Sequence, residues 1–154
     1  MSDLKISIIT TTFNSSASIV VCLASVAYQT CPVEHIIIDG VSTDNTIKIV
    51  REFSPNARVV SERDNGIYDA MNKGIRLATG DIIGILNSED FLADENAVDR
   101  VVSAIVDQNV DSCYADIVFG YRADMSRVAR KWLSGPLEKK RFRTGWMLPH
   151  PTFL

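Results

Sequence analysis

Cysteine and histidine are scarce in this chain, and neither is spaced for chemistry of its own. Cys22, Cys31 and Cys113 are odd in number and form no CxxC pair and no Cys/His ligand set. That excludes a disulfide framework, a zinc ribbon and a thioredoxin-like redox centre, and suits reduced thiols inside a cell. His35 and His150 are the two histidines, and neither stands with a serine or cysteine motif. A Ser-His or Cys-His hydrolytic site therefore has no support, and no Gly-x-Ser-x-Gly elbow is present. His35, at the head of an apolar run, reads as a structural residue. The chain also lacks a Walker-type phosphate loop and a spaced Gly-x-Gly-x-x-Gly, which argues against an ordinary ATPase and a dinucleotide dehydrogenase. No internal repeat or low-complexity linker occurs. No apolar run approaches a membrane span. Ile6–Ser7–Ile8–Ile9, behind Asp3 and Lys5, is too short and too polar-fronted for a signal peptide. A cytoplasmic location is the expectation, with peripheral contact at the inner face of the membrane left open.

What is present is the composition of one soluble globular domain: 154 residues, 46% hydrophobic, 23% charged, formal net charge −3. A chain of that length buries about two thirds of its unfolded surface. The small net charge hides a division. Residues 1–121 carry 17 acidic and 8 basic side chains, and residues 122–154 carry 2 acidic and 8 basic.

Hydrophobic periodicity predicts strand and helix in alternation. Leu4 to Ile9 reads as a buried strand that exits through Thr10–Thr11–Thr12–Phe13–Asn14. Ser15 and Ser16 can cap a helix whose apolar face is Ile19, Val20, Leu23, Val26 and Ala27. His35 to Ile38 is a second strand, exiting through Asp39–Gly40. Ser42 or Thr43 then caps a helix carrying Ile47, Val50 and Phe53. Arg58 to Ser61 is a short third strand. Gly66 to Ala78 is helical, with Ile67, Met71, Ile75 and Ala78 spaced for one buried face. Ile82 to Leu86 is a fourth strand that leaves through Asn87–Ser88–Glu89–Asp90, and Ala97 to Val106 is another amphipathic helix. Beyond Asp111 the helical period stops. Ser112–Phe119 and Arg127–Trp132 read as strands that extend or border the sheet, followed by a basic loop from Ser134 to Thr144.

Four strand–helix alternations argue for an α/β layer structure on a largely parallel sheet. Ligands in such folds bind beyond the carboxyl ends of the strands. Thr11 to Asn14, Asp39–Gly40 and Asn87 to Asp90 would gather there, supplying hydroxyls, an amide and three carboxylates. Glu89 and Asp90 offer hard oxygen ligands suited to Mg2+ or Mn2+ shared with a phosphate.

Those segments, taken in order as TTFN, IIIDGVSTDNT, SERDNGIYDAMNKGIRLATGDIIGILNSED and LPHPTF, resemble the family 2 glycosyltransferases. The resemblance covers residues 4 to 154 and is nearest to bacterial members that build cell-surface polysaccharides. It implies the GT-A fold, a Rossmann-like three-layer α/β/α sandwich. It also implies an inverting, hexosyltransferase-like enzyme that moves a sugar from a nucleoside diphosphate donor, a UDP-sugar by implication, to a glycan or lipid-linked acceptor. Thr11, Thr12, Phe13 and Asn14 would approach the base and ribose, and Asp39 would bond the base. Tyr68, Asn72 and Lys73 would flank the donor. Many relatives place an arginine where Met71 stands, so Lys73 or Arg76 would supply positive charge to the diphosphate, while Met71 itself reads as core. Asn87 and Ser88 open the segment that resembles the family's metal-binding Asp-x-Asp. There Glu89 or Asp90, Asp90 in preference, would hold Mn2+ or Mg2+. Residues 1–110 would form the donor half and residues 111–154 the start of the acceptor half, with Trp146 and His150 on the acceptor side.

The resemblance also implies a general-base aspartate beyond Leu154, so the chain reads as cut short at its carboxyl end. Two rivals stand beside this reading. A sugar-1-phosphate nucleotidyltransferase should open with a glycine-rich loop, and Thr10 to Ser16 contains no glycine. A truncated or degenerate binding module without catalysis fits the altered acidic segment. The basic run Lys139–Lys140–Arg141–Arg143 reads either as a solvated loop or as attraction to an anionic acceptor or membrane surface. No recognition motif points to nucleic acid.

Overall fold

The computed structural model describes residues 4–121, 124–147 and 150–152. Its centre is β1 (Ile6–Thr12), seven residues all buried. A strand with no exposed face needs a paired neighbour on each edge and cover on both faces, as in a parallel sheet layered by helices. β2 (Val33–Asp39) pairs with β1 from Ile6↔Val33 through to Thr12↔Asp39. β4 (Ile82–Ile85) lies on the other side of β1, and β3 (Arg58–Ser61) lies outside β2. The sheet order is β3-β2-β1-β4, parallel throughout.

Helices cover both faces. On one, Ile6 and Ile8 meet Cys22 and Val26 of α1 (Ile19–Ala27) and Val98 of α4 (Ala97–Gln108). On that face too, Ile37 meets Ile19, Leu23 and Val50, the last from α2 (Thr46–Phe53). On the other, Ile9, Ile36 and Ile38 pack on Ala70 of α3 (Ile67–Leu77). Each such fully buried aliphatic side chain contributes about 1.5–3 kcal/mol relative to exposure. The result is the expected α/β/α sandwich.

Local details depart from the sequence expectation. The buried face of α3 is Ala70, Met71 and Gly74, while Ile67 and Ile75 are 48% and 41% exposed. Small residues win this face because the helix backbone comes very close to the sheet: a Cβ on Gly74 would lie 2.3 Å from Ile9 Cγ2. Met71 is core, as expected. Val50 of α2 is buried, but Phe53 is half exposed. Neither Ser15 nor Ser16 caps α1, which starts beyond Ser18. The Ser15 carbonyl instead accepts the Ser18 and Ile19 amides at 3.0 Å each. At α2 the capping work falls to Asp44, whose carboxylate accepts the Thr46 amide (2.9 Å), the Thr46 hydroxyl and the Ser16 amide. Those hydrogen bonds, led by the Thr46 hydroxyl, hold the Asp44 carboxyl well below the usual range.

The far end differs more. β5 (Ile117–Tyr121) and β6 (Asp124–Trp132) form a separate antiparallel ribbon and do not join the main sheet. Residues 112–116, expected as strand, are tied elsewhere. The Ala115 carbonyl accepts the Ser134 and Thr152 hydroxyls (2.8 Å each), and Asp116 accepts the Ser134 amide. The basic stretch read as a loop contains a 3-10 helix, Lys139–Thr144.

His35 sits in β2 with its Nε2 3.0 Å from the Thr10 hydroxyl. Burial, which disfavours the cation, pushes its pKa down to about 4. The unfolded chain therefore takes up this proton first as pH falls. Stability is lost from about pH 6.5 down to about pH 4, by up to roughly 3 kcal/mol. The acid loss at Glu34, whose pKa is lowered chiefly by the Ser7 hydroxyl, comes below that group's ordinary 4.5. Urea midpoints measured against pH should fall through this window in the parent chain and stay flatter in His35→Gln. Parallel curves would contradict the burial of a neutral imidazole.

Candidate functional site at the carboxyl edge of the sheet

Strand register brings the polar exits together. Thr12, Asp39 and Ser61 end β1, β2 and β3 level with one another. β4 stops earlier, but its exit keeps following β1: the Leu86 amide bonds the Ile9 carbonyl (2.9 Å) and the Ser88 amide the Thr11 carbonyl (3.3 Å). Asn87 to Asp90 therefore lie beside Thr11 and Thr12.

Asp39 has no exposed surface. Its carboxylate accepts the Ser42 amide (3.0 Å), the Ser42 hydroxyl and the Ser61 hydroxyl (2.6 Å). A carboxylate has about four acceptor positions, so one is left for a further donor. Thr12 presents the complementary feature. Among the described residues its buried hydroxyl has no hydrogen-bond partner, a condition that costs about 1–3 kcal/mol until something satisfies it. Phe13 follows with its ring 62% exposed. Asn14, in the left-handed region at φ 50°, joins the first two exits. Its amide donates to the Ser42 hydroxyl (2.8 Å), and its side-chain oxygen accepts the Thr43 amide (2.9 Å).

A fourth exit was missed in the sequence. Beyond β3, Asp64 Oδ2 comes within 3.0 Å of where a Cβ would stand on Gly40, and the Phe13 ring comes within 3.4 Å of the same point. Asp64 therefore reaches the same crevice as Phe13 and Asn14. No local spacing signals this, because a four-residue strand gives little to anchor a reading.

The α3 residues are placed less uniformly. Tyr68 is 75% exposed and Asn72 is exposed. Lys73 differs from expectation: its ammonium donates to the Arg63 carbonyl (2.6 Å) and pairs with Glu62 (3.0 Å) and Asp69 (3.7 Å). The Glu62 bond is the main cause of a raised Lys73 pKa. This cation is spent within the protein and does not stand free toward a diphosphate.

At the β4 exit, Asn87 Oδ1 accepts the Thr11 hydroxyl (3.3 Å), and its amide nitrogen donates to Asp90 Oδ2 (3.2 Å). The Ser88 hydroxyl lies 2.8 Å from that of Ser15. Glu89 is exposed and Asp90 half-buried. Among the described residues no three acidic, histidine or cysteine side chains converge to form a metal cage. Adjacent Glu89 and Asp90 instead suit a hard cation that takes its remaining ligands from phosphate and water.

Toward the carboxyl end of the chain, Trp146 meets Phe142 edge-on at 5.1 Å and Tyr114 at 6.5 Å, with the Arg141 guanidinium 5.0 Å over its ring. His150 opens a short 3-10 helix, His150–Thr152, and is described in its backbone alone. Pro149, Phe153 and Leu154 lie outside the described residues. Two cavities lined by described residues, about 900 and 390 Å3, lie at the opposite edge around Cys31, Pro32 and Val33. The larger has Glu34, Asp99 and Asp107 against one lysine, Lys5, which does not suit a diphosphate.

A model of glycosyl transferase family 2 matches residues 7–153. The chain belongs to glycosyltransferase family 2. It is 40% identical over 118 residues to a PGL/p-HBAD biosynthesis glycosyltransferase of Mycobacterium tuberculosis, covering 73% of this chain and 46% of that protein. Over 91 residues it is 40% identical to the chondroitin synthase of Escherichia coli, covering 56% of this chain and 13% of that one. Among solved structures it is similar to S. aureus TarS 1-349 in complex with UDP-GlcNAc (TM-score 0.68, 23% identity, 79% and 36% of the two chains). It is equally similar to a mannosyltransferase of Pyrobaculum calidifontis in complex with GDP-Man and Mn2+ (TM-score 0.68, 23% identity, 82% and 38%). These two share the GT-A fold with it. This glycosyltransferase chain spans less than half the length of the curated relatives and solved structures named here. No helix among its described residues is long and apolar enough to cross a membrane.

At this edge of the family 2 chain, Val41 bears strain. It is β-branched, exposed, and held at φ 65° between Gly40 and Ser42, the residue that closes on Asp39. A left-handed backbone costs a branched residue about 1–2 kcal/mol. Val41→Gly should raise the melting temperature by about 2–4 °C, read by thermal denaturation. A lower melting temperature would show that the valine side chain earns its place by packing.

Proposed function

We propose that this chain forms the donor-binding part of an inverting glycosyltransferase that uses a nucleoside diphosphate sugar, a UDP-sugar in the first instance. The observation that carries the reading is the crevice itself. Three of the four strand exits present an unsatisfied hydroxyl at Thr12, one acceptor position at Asp39, an open aromatic ring at Phe13 and a carboxylate at Asp64.

Such a set matches a nucleoside. Phe13 stacks on the base. Asp39 accepts the imide N–H of uracil, and the Thr12 hydroxyl gains the partner that the protein denies it. Asn14, fixed by Ser42 and Thr43, keeps the first two exits in register. Asn87, Ser88, Glu89 and Asp90 then face the diphosphate, with Tyr68 and Asn72 of α3 flanking the donor. Glu89 and Asp90 would hold Mn2+ or Mg2+, and Asn87 orients Asp90 through its side-chain amide. When bound, that cation would neutralise charge on the departing diphosphate. The sugar passes to a hydroxyl of a glycan or lipid-linked acceptor brought in on the side of Trp146 and His150, with inversion at the anomeric carbon. The basic residues 139–143 suit an anionic acceptor or the membrane surface that bears it, in keeping with a cytoplasmic enzyme of cell-surface polysaccharide synthesis. Residues 1–110 are the donor half in this scheme, and residues 111–154 begin the acceptor half. The similar proteins bound to UDP-GlcNAc and to GDP-Man with Mn2+ support this chemistry.

A second reading, a nucleotide-sugar-binding module without turnover, is favoured by one observation. The acidic segment carries Asn87 and Glu89 and gathers no third carboxylate among the described residues.

The test is release of UDP from a panel of UDP-sugars with Mn2+. We expect release above background, lowered at least about tenfold in Asp90→Ala. Binding without release would favour the module. A chain that neither binds nor hydrolyses any nucleoside diphosphate sugar would overturn the donor reading.

A further inference from the structure

The loop between β3 and α3, residues 62–66, is tied down at every turn although most of it is exposed. The Glu62 amide donates to the carbonyl of Asp39 (3.0 Å), which fixes the start of the loop to the end of β2. The Asn65 amide donates to Asp69 Oδ2 (3.0 Å), and the Gly66 amide to Asp64 Oδ1 (2.9 Å). Lys73 closes the arrangement from the next turn of α3. Its ammonium reaches back to the Arg63 carbonyl at 2.6 Å, to Glu62 at 3.0 Å and to Asp69 at 3.7 Å, with only 16% of its side chain exposed. Long lysine side chains are rarely held this way at a surface, because ordering one costs much of its rotamer entropy. A single exposed ion pair does not offset that. A charge-assisted bond to a carbonyl together with two carboxylates does. What the lysine holds is the backbone on the amino side of Asp64. The Asp64 oxygen left over from the Gly66 bond is the one that stands against Gly40, beside which the Phe13 ring also packs.

We propose that Lys73 is a positioning residue for donor recognition: it fixes the 62–66 loop so that Asp64 faces the nucleoside part of the crevice. The inference rests on the donor-binding reading above and assigns Lys73 a role at the nucleoside rather than at the diphosphate. The geometry separates the two roles. An ammonium has three donors. Here one is bonded to a carbonyl, another to Glu62, and the ammonium faces Asp69 as well, so its charge is already answered by two carboxylates. Asp64 keeps an acceptor oxygen for an N–H or O–H of the nucleoside.

Calorimetric titration of UMP and of UDP distinguishes these roles. The chains compared are the parent, Lys73→Met, Lys73→Arg, Asp64→Asn, and Lys73→Met combined with Asp64→Asn. Lys73→Met should weaken UMP and UDP by the same factor, about five- to tenfold. Lys73→Arg, which can still bond the Arg63 carbonyl and the carboxylates, should stay within about twofold of the parent. In the Asp64→Asn background, Lys73→Met should cost less than about twofold more, because the group it positions is already impaired. A loss for UDP with UMP unchanged would overturn the proposal in favour of a diphosphate contact. Full multiplicative losses in the double variant, or no loss at all, would also overturn it. If Lys73→Met does not fold, Lys73→Leu, which likewise removes every donor of the ammonium, takes its place in the same cycle. A parent chain that binds neither ligand would overturn the donor-binding reading itself, and this inference with it.

Discussion

A carboxylate removed from water costs several kcal/mol unless hydrogen bonds or charge partners replace its hydration. Asp39 is such a carboxylate, and the layout of the crevice follows from how it is satisfied. Ser61 can reach it because β3 runs parallel to β2 and ends level with it. Ser42 reaches it from the loop that must fold back over the end of β2, and that fold forces Val41 into a left-handed backbone. The same loop receives Asn14, which ties the end of β1 to the end of β2. One buried charge thus fixes three strand exits relative to one another. A site built on strand ends in register is more precise than one on free loops.

The fourth exit is fixed from the other face of the sheet. α3 lies close enough on Ile9 that Gly74 has no room for a side chain. From that position Lys73 and Asp69 hold the loop carrying Asp64. The helix on this face therefore both completes the core and sets part of the crevice. The helices on the opposite face, α1, α2 and α4, supply most of the remaining core.

The strands and their exits were legible in the sequence because β-branched runs ending in Thr, Asn and Asp mark both the buried strand and its polar edge. The resemblance to family 2 glycosyltransferases rested on those same exits, and the family match bears it out. What was not legible depended on distance in the chain. Asp64 comes up to Gly40 only after β2 and β3 have paired. The bonds of Lys73 to Glu62 and to the Arg63 carbonyl cannot be read from helical spacing, which shows Asp69 alone as a neighbour four residues away. The buried face of α3 was misplaced because periodicity weights large side chains, whereas close packing on Ile9 selected Ala70 and Gly74. Residues 112–116 looked like strand by composition, but Ser134 and Thr152 claim their backbone groups. Of the unevenly distributed charge, Asp39, Asp64, Glu89 and Asp90 lie at the carboxyl edge of the sheet, and the basic residues 139–143 lie beside an aromatic knot around Trp146.

The central claim is that four exits at the carboxyl edge of one parallel sheet form a single nucleotide crevice. Amide hydrogen exchange with and without UDP and Mn2+ tests this most directly, because it reports each exit separately. The account predicts added protection at Thr11–Asn14, Asp39–Ser42, Asp64–Gly66 and Asn87–Asp90 together, with little change at the opposite edge around Cys31 to Val33. Protection confined to that opposite edge, or to one exit alone, would contradict it.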